Sequence, residues 1–321
     1  LGGIGAAPWA VSLVCDGVIA GVGGVLTFLP MIAILFLFLS ILEDSGYMAR
    51  AAFVMDRTLR HFGLSGKAFI PLLMGFGCTV PAVMGARTME NEKDRRMTIM
   101  LVPFMSCSAR LPIYGLLVSA FFPGNRALIV ISLYLIGICL AILSGLILKR
   151  SIFRGEAAPF LLELPPYRMP TVRNVGTHVW EKVKDFLSRA ATLILAMSVV
   201  LWLLQSFTLH GQYTTDVSQS LLAALGSAIA PLFLPCGFGV WQAAVALLTG
   251  LIAKEAVVSS MSLFYGFSLT ASGATVALAL GGTFTPVAAY AFLVFCALYT
   301  PCVAAIATIR REMGDIKWTL A

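Results

Sequence analysis

Three of the seven cysteines fall where an apolar stretch is interrupted. Cys78 lies in "GFGCTVPAVMGAR" (75–87), Cys107 in "FMSCSARLP" (104–112) and Cys302 in "LYTPCVAA" (298–305). A fourth interruption, "GLIAKEAVV" (250–258), carries Lys254 and Glu255, and Glu255 is the only carboxylate between Asp216 and Glu312. Thr79, Ser106, Ser108 and Thr300 add hydroxyl oxygens beside them. Thiolate, carboxylate and neutral oxygens together suit a borderline divalent transition metal better than Na⁺ or Mg²⁺. Cys78, Cys107, Glu255 and Cys302 are therefore the candidate metal ligands. Pro81, Pro112 and Pro301 explain the interruptions, since each removes a backbone N–H and clashes with the preceding turn. Gly75 and Gly77 permit the non-helical torsions that follow.

Other roles stay open for the same residues. A cysteine in an apolar helix also serves as a small packing residue, and Cys15, Cys139, Cys236 and Cys296 are read that way. Glu255 has two possible ionic partners, Lys254 beside it and Arg110. Arg110 fits a clamp for carbonyls freed at the breaks better than a metal contact, because a cation repels a metal. Met84 and Met105 offer soft thioethers, and His61, His178 and His210 offer imidazoles at expected surfaces. Glu43 and Asp44 precede "SGYMAR" and suit the capping of a following helix; the sharper reading makes them a cytoplasmic exit site for a cation.

The elements that position these residues follow from composition. The chain has 321 residues, 59% hydrophobic and only 12% charged, whereas soluble domains carry about 25% charged residues. Runs 17–42, 127–148 and 190–207 approach or exceed the roughly 20 apolar residues that cross a bilayer. Unbroken apolar runs do not alternate as barrel strands do, and lipid leaves no backbone group unpaired. The expected fold is an all-α polytopic membrane protein embedded in the lipid bilayer. The net charge of +7 reads as cytoplasmic loop charge, not as nucleic-acid binding. No H-E-x-x-H or G-x-S-x-G motif supports an intramembrane enzyme.

Nineteen of the 22 basic residues lie in four clusters, at 50–67, 87–96, 149–189 and 310–317. Placing all four in the cytoplasm sets a path. Helix 17–42 runs inward and an arm, 43–62, lies along the inner face. Segment 68–89 is a re-entrant hairpin, 97–121 crosses outward as a broken helix, and 127–148 returns. A basic linker with an amphipathic helix spans 153–189. Helix 190–207 goes out, 241–265 dips in from outside as a second hairpin, and 285–309 crosses inward as a second broken helix. Residues 1–152 and 190–321 thus read as two gate repeats of inverted topology, the plan of many secondary transporters, with paired breaks as the pointer to a midplane site. The second repeat lacks a closing helix, and the start on "LGGIGAAPW" without Met suggests part of a longer protein.

Five segments in order resemble the ferrous iron transport protein B family: "ILEDSGYMARAAFVMD" (41–56), "GFGCTVPAVMGAR", "MSCSARLPIY" (105–114), "AKEAVV" (253–258) and "YTPCVAAIATIRRE" (299–312). The resemblance implies Fe²⁺ as the transported substrate, uptake across a bacterial inner membrane, and two opposed gates. Carried over by position, the first gate holds Cys78 and Cys107, the second Glu255 and Cys302. It also implies an N-terminal GTP-binding domain using GTP and Mg²⁺, small cytoplasmic accessory proteins, and a possible homo-oligomer. No G-x-x-x-x-G-K-[ST] motif occurs in this chain, so any GTPase activity belongs to a part not included in it. The alternative is a carrier of a nucleoside-type solute or another divalent metal on the same scaffold. Against a nucleoside, the breaks carry thiols in place of hydrogen-bonding amides and aromatics.

Overall fold

A computed structural model describes residues 8–151, 166–188, 192–208, 212–214, 216–268, 273–315 and 319. Arg154, Pro159, Pro165, Arg189, His210 and Lys317 lie outside the described residues. Within them helices are the only regular structure apart from one isolated bridge between Phe207 and Tyr213. Four stretches are long and apolar enough to cross a membrane: Leu13–Asp44, Glu92–Phe121, Arg126–Ser151 and Pro286–Met313. A fifth exists if Leu221–Cys236 and Trp241–Ile252, bent by 104°, are counted as one broken span. The chain is a multi-pass membrane protein, as its composition requires.

In chain order the helices are α1 (Pro8–Ser12), α2 (Ala20–Asp44), α3 (Tyr47–His61), α4 (Phe69–Gly77), α5 (Thr79–Gly85), α6 (Glu92–Leu101), α7 (Leu111–Phe121) and α8 (Arg126–Ser151). Then follow α9 (Val172–Phe186), α10 (Thr192–Ser206), α11 (Leu221–Ile229), α12 (Trp241–Ile252), α13 (Ala256–Tyr265), α14 (Gly273–Leu280), α15 (Pro286–Leu298) and α16 (Val303–Met313). Helices α11 and α14 fall in segments expected only to stay on one side of the membrane. They are too short to span, so counting basic residues could not reveal them.

Two compact units are present. The first comprises Leu1–Phe28, Ala109–Ile131 and Leu187–Val303; the second comprises Leu29–Ser108, Ser132–Phe186 and Ala304–Ala321. The chain changes unit at both crossing-helix breaks, at 108/109 and 303/304.

The second unit is built on α3, the α4–α5 hairpin, α6 and α16. Leu59, Leu64, Ala82, Val83, Met97, Ile99, Val102, Ile309 and Met313 share one buried apolar cluster there. Helix α3 is amphipathic, with Met48, Ala52 and Leu59 buried at helical spacing. It stops at Gly63, whose φ of +81° favours glycine. The Gly63 N–H reaches the Arg60 carbonyl at 3.0 Å and the Leu64 N–H the Leu59 carbonyl at 3.1 Å. Buried Leu64 and Leu59 complete this C-terminal motif.

The expected capping of α3 by Glu43 and Asp44 is not what the structure has. Both residues end α2, and the chain turns at Gly46 with φ +76° before α3 begins. Ser45 Oγ accepts from the Tyr47 N–H at 3.4 Å, while Glu43 pairs with Lys182 of α9 at 2.8 Å. The apolar character of α2 carries the helix through Glu43 and Asp44, so they stand at its C-terminal end.

The first unit packs α7, α11–α13 and α15. A run of aromatic rings crosses it: Phe284 on Phe292 at 5.8 Å, Phe292 on Phe238 at 5.3 Å, Phe238 on Phe295 at 6.1 Å, and Phe295 stacked on Tyr299 at 5.6 Å. Phe292, Phe295 and Tyr299 are spaced three and four apart, which brings their rings to one face of α15 and its end.

Candidate functional site

In the second unit the first hairpin breaks at one residue. Helix α4 ends at Gly77, Cys78 is extended (φ −154°, ψ 133°), and α5 starts at Thr79. Pro81 sits in the first turn of α5, where a missing N–H has no intrahelical acceptor to lose. The facing segment breaks at 105–107, where the chain is extended from Met105 (φ −71°, ψ 128°). Ser106 is buried, and Cys78 and Cys107 are half-buried thiols. Ser108 Oγ donates to the Gly77 carbonyl at 2.8 Å, an oxygen at the end of α4. Gly77 adjoins Cys78 and Ser108 adjoins Cys107, so this bond sets both cysteines beside one junction. Gly75 makes room for it: a Cβ there would lie 3.1 Å from the Cβ of Met105.

In the first unit the second hairpin repeats the device. Helix α12 ends at Ile252, Ala253 is extended (φ −142°, ψ 128°), and Lys254 and Glu255 lead into α13. The extended residue is Ala253, one position before the expected Lys254–Glu255 tip. The Ala253 and Lys254 carbonyls accept from Ala256 and Val257 at 3.0 and 3.2 Å, so Lys254 and Glu255 already belong to the opening turn. The facing break starts at Tyr299 (φ −68°, ψ 165°) and ends where α16 begins after Pro301 and Cys302. Lys254 is 3% exposed; its ammonium donates to the Thr300 carbonyl at 2.7 Å and lies 3.2 Å from the centroid of the Tyr299 ring. Thr249 and Ser260 share a buried hydroxyl hydrogen bond at 2.9 Å that ties α12 to α13. Glu255 is half-buried, accepts from its own backbone N–H and feels the charge of neighbouring Lys254.

Each unit therefore has a hairpin with one extended residue, a facing broken helix, and a polar side chain donating to a backbone carbonyl at a break. Arg110 is buried at 2% exposure, at the entry to α7 with Pro112 in the first turn; Ser108 holds the Gly77 carbonyl and Lys254 that of Thr300. Lys254 is engaged with Thr300 and Tyr299, and its charge also acts on neighbouring Glu255. Within either unit, no three His, Cys, Asp or Glu side chains among the described residues gather into a metal-sized group. Cys78 and Cys107 lie in the second unit, and Glu255 and Cys302 in the first. His61 and His178 are exposed, and Met105 is buried against Gly75.

One contact within the second unit was not foreseen. Arg87, at the end of the "GFGCTVPAVMGAR" motif, grips Glu312, at the end of "YTPCVAAIATIRRE". Its Nε lies 2.8 Å from both carboxylate oxygens and its Nη2 also contacts Oε1. The Glu312 side chain is 8% exposed against 42% for Arg87. Arg87→Ala is expected to lower the melting temperature, at about 1–3 kcal/mol, because it strands a largely buried carboxylate while removing a partly screened cation. Arg87→Lys should recover part of that loss in the same melting measurement.

The chain's similarity to known proteins agrees with this geometry. A family profile described as "Gate: Nucleoside recognition" matches residues 25–121 and 187–316, and one for the "Ferrous iron transport protein B C terminus" matches 130–182. The first takes in all four breaks. The Fe(2+) transporter FeoB of Staphylococcus aureus (strain COL) is 48% identical over 98% of this chain and 47% of its own length. The Fe(2+) transporter FeoB of Methanocaldococcus jannaschii is 43% identical over 96% of this chain and 46% of its own. A relative in Porphyromonas gingivalis, named an Fe(2+) transport protein A/Fe(2+) transporter FeoB fusion protein, is 42% identical over 96% of this chain and 42% of its own length. The chain spans about half the length of these relatives or less, and no solved structure matches it significantly. With the gate motifs, the helix breaks and these relatives in agreement, the chain belongs to the ferrous iron transport protein B family.

Proposed function

We propose that the chain is the membrane core of an Fe²⁺ uptake transporter of the cytoplasmic membrane. The observation that carries this reading is the paired break. Each unit opens backbone at one extended residue and sets a thiol or a carboxylate beside the opening. Fe²⁺ would be partly dehydrated at each gate, by Cys78 and Cys107 at the first and by Glu255 and Cys302 at the second. Thr79, Ser106 and Thr300 would supply further oxygens. The two gates are read as repeats of inverted topology, 1–152 and 190–321, with the basic loops in the cytoplasm.

Asp44 is the residue we favour for cytoplasmic release. Its Oδ2 is buried without a hydrogen-bond partner among the described residues, as is the Oγ of Ser40 one turn earlier on α2. Glu43 is tied to Lys182 and supports the exit by charge alone. A GTP-binding domain outside this chain would supply GTP and Mg²⁺ chemistry. The named fusion relative supports a small accessory protein as partner.

The test is Fe²⁺ flux through the full-length protein reconstituted in liposomes, against Mn²⁺, Zn²⁺ and a nucleoside. Fe²⁺ uptake without nucleoside uptake is the expected result. Nucleoside uptake without Fe²⁺ flux would overturn the reading. Asp44→Asn is expected to slow Fe²⁺ release roughly tenfold, as loss of a carboxylate near a metal path does, visible as metal retained on the protein during efflux. Equal retention in the variant and the wild type would remove Asp44 from the path.

A further inference from the structure

Lys254 is an unusual occupant of an apolar membrane segment. A buried ammonium costs several kcal/mol unless its charge is met, yet this one is 3% exposed. Its contacts include a carbonyl oxygen at the break, that of Thr300 at 2.7 Å, and the face of Tyr299 at 3.2 Å. Carbonyl oxygens and aromatic faces are ligands for cations. The ring is held in place from both sides. Phe295 stacks on it at 5.6 Å, and Gly250 has no side chain where a Cβ would lie 2.4 Å from the Tyr299 hydroxyl. The carbonyl belongs to the break that carries Cys302, and Glu255 follows Lys254 directly in the chain.

Resting on the proposed metal site at Glu255 and Cys302, we infer that Lys254 is a tethered cation that fills the second break until a metal displaces it from the Thr300 carbonyl. The ammonium stands in for the missing positive charge, and its four-carbon stem lets it retract when a divalent ion arrives. Exchange is favourable only for an incoming cation that gains more from the break than the ammonium does. A divalent metal taking a thiolate and a carboxylate does so. Na⁺ and K⁺ bring the same single charge as the ammonium and no affinity for sulfur. A neutral solute gains nothing. The lysine thus makes the break selective for divalent ions without being a ligand itself.

The test uses full-length protein in lipid nanodiscs with Co²⁺ as probe, reading the thiolate-to-cobalt absorption band. A Cys78→Ser/Cys107→Ser background confines the band to the second break. Lys254→Met is expected to tighten Co²⁺ binding about tenfold or more, since a like charge within a few Å is lost. Glu255→Gln and Cys302→Ser are expected to weaken it. If neither weakens binding, the metal-site reading fails. If both do while Lys254→Met binds no tighter, the displacement inference is overturned and the site stands. Wild-type protein supplies a measurement that does not depend on the variant folding. An amine-reactive probe read by mass spectrometry should spare Lys254 without metal and label it at saturating Co²⁺. Protection that persists at saturation overturns the inference.

Discussion

Glu255→Gln is expected to lower Fe²⁺ flux through the reconstituted full-length protein by about a hundredfold, with the fold intact. The amide keeps the shape of the side chain and removes its charge. No other carboxylate occurs between Asp216 and Glu312, so the thiol of Cys302 alone would be left to neutralise a divalent ion as it leaves water. Charge is costly to desolvate unless paired, and a loss of about 2.7 kcal/mol is already a hundredfold. Folding should be spared because the amide fits the same turn and can still accept from the backbone N–H at its own position, as the carboxylate does. Cys302→Ser is expected to cost less, roughly tenfold, because a hydroxyl still offers an oxygen while the soft donor that prefers iron over Mg²⁺ is gone. Flux equal to wild type in the Glu255→Gln protein, at matched expression and melting temperature, would rule out the site.

The second large effect lies in packing. Gly137→Val is expected to destabilise the protein by about 3 kcal/mol or more, seen as loss of monodisperse protein in detergent and a lower melting temperature. Leu133, Gly137, Ala141 and Gly145 are buried at four-residue spacing on α8, the small-residue stripe that lets membrane helices approach closely. A Cβ on Gly137 would lie 2.7 Å from the Phe104 carbonyl oxygen. That oxygen is backbone and cannot rotate away, and it ends the turn just before the break at 105–107. Relief would require moving the segment that sets Cys107 beside the Cys78 junction, at the usual cost of overpacking. Gly145→Ala is the control. Its Cβ would meet Leu101 at 3.4 Å and Met97 at 3.6 Å, both flexible side chains, so a change within about 0.5 kcal/mol is expected.

The positions of the helix breaks were legible because proline and glycine act on backbone locally. Cys78 is the extended residue of the first hairpin, where "GFGCTVP" places it. The second break came out one residue off, at Ala253, because no proline marks it. There the turn is set by which carbonyls the start of α13 captures, and that is a property of the packed hairpin. Capping by Glu43 and Asp44 failed for a related reason: local propensity favours caps, but the apolar run of α2 continues past them into the turn at Gly46.

The sequence by itself determined that this is an all-helical, multi-pass membrane protein with interrupted helices. Those features depend on composition, hydropathy and the local chemistry of proline, glycine, thiol and carboxylate. Its five motifs also pointed to the family. Only the tertiary structure decided which side chain meets which carbonyl. Ser108 reaches Gly77 across 31 residues, Lys254 reaches Thr300 across 46, and Arg87 reaches Glu312 across 225. Pairings at such separations arise from helices folding back on one another. A lysine beside a glutamate in sequence says nothing of that; it is packing that adds a carbonyl and a ring to the surroundings of Lys254.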